Sequence, residues 1–220
     1  MWRARGGPCA RPAYARGEDS QVDECKCGTT GDGFVSRVFD GPAVELPQML
    51  DARERRAAAQ RTLISRAPEG SSLLCMTLAI PGPVKTSAVL REVFGTIREL
   101  VAGALGDSAP IGELELTGPT GPEVLELVPT GALELKRRMV AIEQSHPWGR
   151  LVDLDVFDCG AGELRPISRT ELGLGPRTCL ICGGEAKACA RSRTHSVEQM
   201  QAKIASIIKE GGFEDCGNQG

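Results

Sequence analysis

The chain has 220 residues, 41% of them apolar and 25% charged, with a formal net charge of -3. That is the composition of an ordinary water-soluble globular protein with enough length for one sizeable core, and it excludes a global electrostatic pull toward nucleic acid, so any anion binding must be local. The uncharged run that follows Gly70, Ser71 to Val84, covers 14 residues and is broken by Pro81 and Pro83, short of the ~18 that a membrane-spanning helix needs.

Arg3, Arg5, Arg11 and Arg16 interrupt the first 20 residues and leave no apolar segment of a secretory leader. Nine cysteines, an odd number, then predict free thiols in a reducing cytoplasm rather than a disulfide framework. Residues 1–43 are dominated by Gly, Pro, Arg and Asp and show no apolar period, which predicts a disordered N-terminal extension. A single catalytic domain is expected over residues 44–212, with a short tail at 213–220. Cys25 and Cys27 form a C-x-C in the extension with no His or third Cys in reach, and no site is assigned to them.

From Pro47 the pattern changes. Pro47 suits a first helical turn, and LDARERRAAAQRTLIS consists of strong helix formers up to Pro68 and Gly70. Its basic cluster, Arg53, Arg55, Arg56 and Arg61, serves either as a solvated face or as part of a site. SSLLCMTLAI, residues 71–80, is a continuous apolar run of strand length, as a central buried strand requires. The Pro81-Gly82-Pro83 turn ends it and places Lys85 at a strand end, where site residues gather. Val89, Val93, Ile97, Leu100, Val101 and Leu105 recur at helical spacing up to Gly106. IGELELTG and PEVLELV alternate around Pro119 to Gly121 and predict a hairpin of two half-buried strands. Thr130 is the expected cap of a helix with Ala132, Leu135, Met139 and Ile142 on its inner face, ended by Pro147.

The segment HPWGRLVDLDVFD follows, residues 146–158. On a strand, Asp153 and Asp155 share one face and Val152, Leu154 and Val156 the other. Two adjacent carboxylates are hard oxygen ligands, suited to Mg2+ that holds the phosphates of a substrate.

PRTCLICGGEAKACARSRTHS, residues 176–196, gathers three cysteines, a histidine and four basic residues against one acid. Two readings compete here. Cys179, Cys182, Cys189 and His195 offer the four ligands of a closed zinc site, although C-x2-C-x6-C-x5-H is not a common finger spacing. The other reading, preferred on spacing, makes the thiols small core residues while Arg177, Arg191 and Arg193 bind phosphates. Ser196 and Gln199 form a capping box for a last helix with Val197, Met200, Ile204 and Ile207 as its stripe and Gly211-Gly212 as its end. Its N-terminus adds unpaired N–H groups to the basic stretch.

Taken together, ARERRAAAQ, PGPVK, HPWGRLVDLDV and PRTCLICGGEAKACARSRTHS resemble, in order and spacing, the citrate lyase holo-acyl-carrier-protein synthases, also called apo-citrate lyase phosphoribosyl-dephospho-CoA transferases. The resemblance covers roughly residues 43–210. It implies transfer of a phosphoribosyl-dephospho-CoA group from its triphosphate donor to a serine of the citrate lyase acyl carrier subunit, with release of pyrophosphate, a nucleotidyltransferase-type reaction. On that reading Asp153 and Asp155 hold Mg2+, and Lys85, Arg150, Arg177, Arg191 and Arg193 bind phosphates. His195, ahead of His146, is the expected proton acceptor. The rival reading is a zinc-stabilised interaction module that binds nucleic acid or an acidic partner through Arg177 to Arg193; the lack of interleaved aromatics counts against it. The expected fold is α+β, with helices packed on a small mixed or antiparallel sheet, nucleotidyltransferase-like by analogy with the D-x-D strand.

Overall fold

The structure is a computed structural model that describes residues 31–160 and 164–213. The apolar run after Gly70 forms strand β1, Ser72–Leu78, and it pairs on both sides. One neighbour is β3, Glu123–Val128, and the other is β4, Val152–Asp158; β2, Gly112–Leu116, lies outside β3. All three pairings are antiparallel, in the order β2-β3-β1-β4. Of the two sheet types left open by the sequence, the antiparallel one is observed, in an α+β fold.

Both faces of β1 are covered, which is why its sequence is continuously apolar instead of alternating. Leu74 and Met76 enter the larger core with α3 (Ala88–Leu105), α4 (Ala132–Ser145) and α6 (Val197–Glu210). Leu73 and Cys75 face the other way, with Leu125 and Phe157, and Ala59, Leu63 and Ile64 of α2 (Leu46–Ile64) close that side. Burial pushes the Cys75 thiol up to about 12. The hairpin expected around Pro119 is present, but β3 is buried along its whole length because it lies inside the sheet, while β2 exposes Glu113 to Glu115 at the edge. The cap of α4 is Gly131, one residue beyond the expected Thr130. The Ser196–Gln199 capping box forms as expected. Among the described residues no helix is long and apolar enough to cross a membrane.

Two boundaries move. Residues 1–30, with Cys25 and Cys27, lie outside the described residues, but Gly31–Val38, expected in the structureless extension, is helix α1. Its apolar residues are only Phe34, Val35 and Val38, too few to stand out as a period, and Phe34 and Val38 are buried in the larger core. Ser87, the N-cap of α3, donates its hydroxyl to the Val38 carbonyl at 2.7 Å and so ties the two helices together. At the other end Phe213, expected in the tail, packs against Phe34 and Trp148 with ring centroids 6.1 and 6.5 Å away.

Between α4 and β4 the chain makes a 3-10 turn, Pro147–Leu151, pressed against α4. A Cβ on Gly149 would lie 2.5 Å from the Ile142 carbonyl oxygen and 2.8 Å from the Glu143 Cα, so only glycine permits this approach. Trp148 is buried in the same turn and donates its indole N–H to the Ile208 carbonyl, anchoring α6.

Phe34→Ala should lower the unfolding free energy by about 3 kcal/mol, the lower end of the range for removing a buried phenyl ring. Urea titration of the full chain checks this; an unchanged midpoint would show that α1 contributes nothing to the core. Gly149→Ala should also destabilise the chain, by an amount the same titration measures, because backbone rather than a movable side chain opposes the new methyl group.

Candidate active site at one end of the sheet

Strand β4 is an edge strand, and its outward carbonyls would be an open template for pairing. Arg177 donates to the Val152 oxygen at 2.8 Å, Lys136 to the Leu154 oxygen at 2.7 Å, and the Ile167 N–H to the Val156 oxygen at 2.7 Å. Two of the three caps are cations, and this decides the electrostatics of the site.

The register puts Asp153 opposite Thr77 and Asp155 opposite Cys75, with Glu123 on the far side of β1, also opposite Thr77. The two aspartates therefore share the face under α2, as the alternation predicted. Asp153 accepts from Arg177 at 2.7 Å and keeps its side chain about half exposed. Asp155 lies deeper. Burial raises its carboxyl above the ordinary range, against the lowering effect of Lys136. Glu123 is raised by burial too; one oxygen pairs with Arg56 at 3.0 Å, and the other is buried without a hydrogen-bond partner.

Arg177 reaches from Asp153 to Glu143, which it meets at 2.8 Å, and Arg169 holds the other Glu143 oxygen at 2.9 Å. Glu143 is only 3% exposed, so its charge is matched at both oxygens by guanidinium groups. Arg150 donates to the Thr178 carbonyl at 2.6 Å. Arg150, Arg169 and Arg177 line a cleft of about 290 Å³ together with Glu143 and the Gly175–Thr178 segment. Burial lowers the Arg150 guanidinium below its ordinary range, and the charges of Arg177 and Arg169 add to that. Three crowded guanidiniums against two carboxylates, Glu143 and Asp153, still leave a net positive cleft, a geometry suited to phosphate oxygens.

Lys85 follows β1 at this same sheet end. Its ammonium donates to the Ile80 carbonyl at 2.6 Å, and burial, with Arg53 nearby, lowers its pKa. A second cleft, about 300 Å³, lies between α2 and the β2–β3 turn, lined among others by Arg55, Glu115, Gly121 and Glu123. The Lys85 carbonyl lies against Gly121, where a Cβ would come within 3.0 Å of its oxygen and where φ is +102°.

Arg191 and Arg193 do not join this group. They belong to α5 (Ala186–Ser192) and its C-cap, are exposed, line neither cleft and form no ion pair with a described residue. His195 turns its ring to the three sulfurs, and no described contact links it to either aspartate. His146 caps the 3-10 turn, accepting from the Trp148 N–H at 3.1 Å.

Glu143 and Lys136 were missed in the sequence. They are seven residues apart, hence on one side of α4 beside its apolar stripe, and two opposite charges so placed are the signal that could have found them. Arg169 and Glu123 carried no comparable signal. Glu143→Gln removes a buried charge that two arginines share and should destabilise the fold by about 3 kcal/mol, the low end for breaking a buried pair. Chemical denaturation reads this, and a change below ~0.5 kcal/mol would mean that water already satisfies the arginines.

Residues 44–211 match the family model described as apo-citrate lyase phosphoribosyl-dephospho-CoA transferase. A Streptococcus pyogenes protein named probable apo-citrate lyase phosphoribosyl-dephospho-CoA transferase is 45% identical over 170 residues, covering 77% of this chain and 88% of that one. An Escherichia coli protein of the same name, without the qualifier, is 34% identical over 170 residues, 76% of this chain and 90% of its own. A longer Haemophilus influenzae protein, named Protein CitXG, is 39% identical over 189 residues, 84% of this chain but 40% of its own. The residues that build the sheet end, from Arg56 to Arg177, all fall inside the matched span, and the chain belongs to the apo-citrate lyase phosphoribosyl-dephospho-CoA transferase family.

Proposed function

We propose that this chain transfers a phosphoribosyl-dephospho-CoA group from a triphosphate donor to a serine of the citrate lyase acyl carrier subunit. The observation that carries the site assignment is the convergence of Asp153 and Asp155 with a cleft lined by Arg150, Arg169 and Arg177. In the reaction the serine oxygen attacks the phosphorus nearest the ribose, the bond from that phosphorus to pyrophosphate breaks, and the serine proton is released. A chain carrying out such a transfer contributes mainly positioning and charge neutralisation. Arg150 and Arg177 are assigned to the donor phosphates, with Arg169 added to them and Lys85 behind them at the strand end. Arg191, Arg193 and His195 are left out of the reacting set, since none of them lines the cleft.

The carboxylate pair fits Mg2+. Asp153 has one oxygen on Arg177 and an exposed side chain, and Asp155 is a desolvated carboxylate whose charge Lys136 offsets only in part. Mg2+, when bound, neutralises part of the triphosphate charge. The reading as an interaction module for nucleic acid is not favoured, given the family. Cys75 and Cys159, free thiols outside the Cys/His cluster, suit a site of action in the reducing cytoplasm.

Mixing the full chain with apo carrier subunit and the triphosphate donor, and weighing the carrier, tests the activity. Asp153→Asn and Asp155→Asn should each lower turnover roughly 100- to 1,000-fold, the scale for removing one electrostatic stabiliser, with an unchanged circular dichroism spectrum. Near-normal transfer by both folded variants at saturating Mg2+ would move the metal site elsewhere.

A further inference from the structure

The stretch between the cleft and α6 carries a second cluster that the transfer reaction does not use. Cys179, Cys182, Cys189 and His195 place one ligand atom each so that all four lie within 4.8 Å of one another. Metal–ligand bonds of about 2.0–2.3 Å in a tetrahedral shell put ligand atoms about 3.5–3.8 Å apart, so this grouping is already close to the size of a zinc site. The core-packing reading of these thiols fails here. Only Cys179 is buried, Cys182 is exposed, and α5, which carries Cys189, has no buried residue. Apolar burial therefore does not account for the convergence of three sulfurs and an imidazole.

The local backbone is shaped around the sulfurs. Thr178 and Glu185 form an antiparallel bridge, the Cys179 N–H donates to the Gly184 carbonyl at 2.6 Å, and Gly183, at φ +73°, turns the chain between them. Inside that turn the Ile181 N–H points at the Cys179 sulfur, 3.5 Å away, the kind of outer-shell bond that orients a thiolate ligand. After α5, Arg193 takes the left-handed conformation at φ 49°, the one non-glycine residue to do so among those described. This reversal brings His195 back over the cysteines. Its Nε2 is buried with no hydrogen-bond partner, on a ring that places a nitrogen within 4.8 Å of the three sulfurs. Buried polar atoms are seldom left so.

We infer that Cys179, Cys182, Cys189 and His195 bind one structural Zn2+ ion in a closed tetrahedral shell. Four protein ligands leave no open position, so the ion is structural and supplies no Lewis acid to the transfer. What it holds is the clasp beside the active cleft. Arg177 accepts the Ala186 N–H at its carbonyl, and the Thr178 carbonyl receives Arg150, so the two residues just before the first ligand fix two of the cleft's three arginines. The zinc assignment itself does not depend on the transferase reading.

Metal analysis of the full chain, purified without added chelator or metal, should find about one zinc per chain. Replacing the ion with Co2+ in the intact protein should produce the visible d–d bands and thiolate charge-transfer absorption of a tetrahedral sulfur-rich site. Cys182→Ser and Cys189→Ser should each lose most of the metal, while Cys159→Ser keeps it. The cobalt spectrum on the unsubstituted chain decides the matter even where a variant fails to fold. Folded protein with no zinc and no cobalt spectrum would overturn the inference. So would a Cys182–Cys189 disulfide in protein handled under reducing conditions, which those two sulfurs, 3.5 Å apart, are close enough to form after a small movement.

Discussion

The open edge of β4 is the constraint on which the site depends. An antiparallel sheet of four strands has two edges, and this one presents the outward carbonyls of Val152, Leu154 and Val156 on a strand that also bears Asp153 and Asp155. Cations can satisfy both demands at once. Arg177 bonds the Val152 carbonyl and the Asp153 carboxylate together, and Lys136 bonds the Leu154 carbonyl while its charge falls on Asp155. Glu143 then becomes necessary, because it holds Arg177 and Arg169 apart and in place from a nearly fully buried position.

The arrangement resolves a conflict between folding and chemistry. Carboxylates that bind a metal and guanidiniums that bind phosphate would neutralise one another if they were free to collapse together. Here Arg177 does meet Asp153, but Glu143 and the Val152 carbonyl hold the same guanidinium and keep the contact from closing further. Arg177 is shared between two acids and a carbonyl, Arg150 is turned to Thr178, and Asp155 has no direct ion pair among the described residues. Preorganised charges of this kind need little rearrangement when a substrate arrives, which is how electrostatic stabilisation becomes effective. The Cys/His clasp extends the same logic, since it fixes the backbone from which Arg177 projects.

Gly149 and Trp148 show how a packing demand feeds the site. The 3-10 turn that contains them sets the height at which β4 enters the sheet, and Arg150 and Asp153 follow within four residues. The glycine is required by contact with the backbone of α4, the helix that carries Lys136 and Glu143. A single close approach therefore sets the distance between the two elements that supply the opposing charges.

Local order was legible in the sequence. The continuous apolar run of β1, the hairpin, the capping box of α6 and the period-2 placement of Asp153 and Asp155 all follow from backbone geometry acting over a few residues, and the motifs identified the family over roughly residues 43–210, where the family model matches 44–211. The tertiary structure alone decided which charges meet. Arg177 and Glu143 are 34 positions apart, and nothing local distinguishes Arg177, which closes a strand edge, from Arg191 and Arg193, which remain exposed 14 and 16 positions later. Helix α1 was hidden for a related reason, because two buried side chains carry too little periodicity to be seen until Phe213 and the core are brought against them. The convergence of His195 with three cysteines likewise depended on one left-handed residue, Arg193, whose conformation is selected by the folded chain and not by its own side chain.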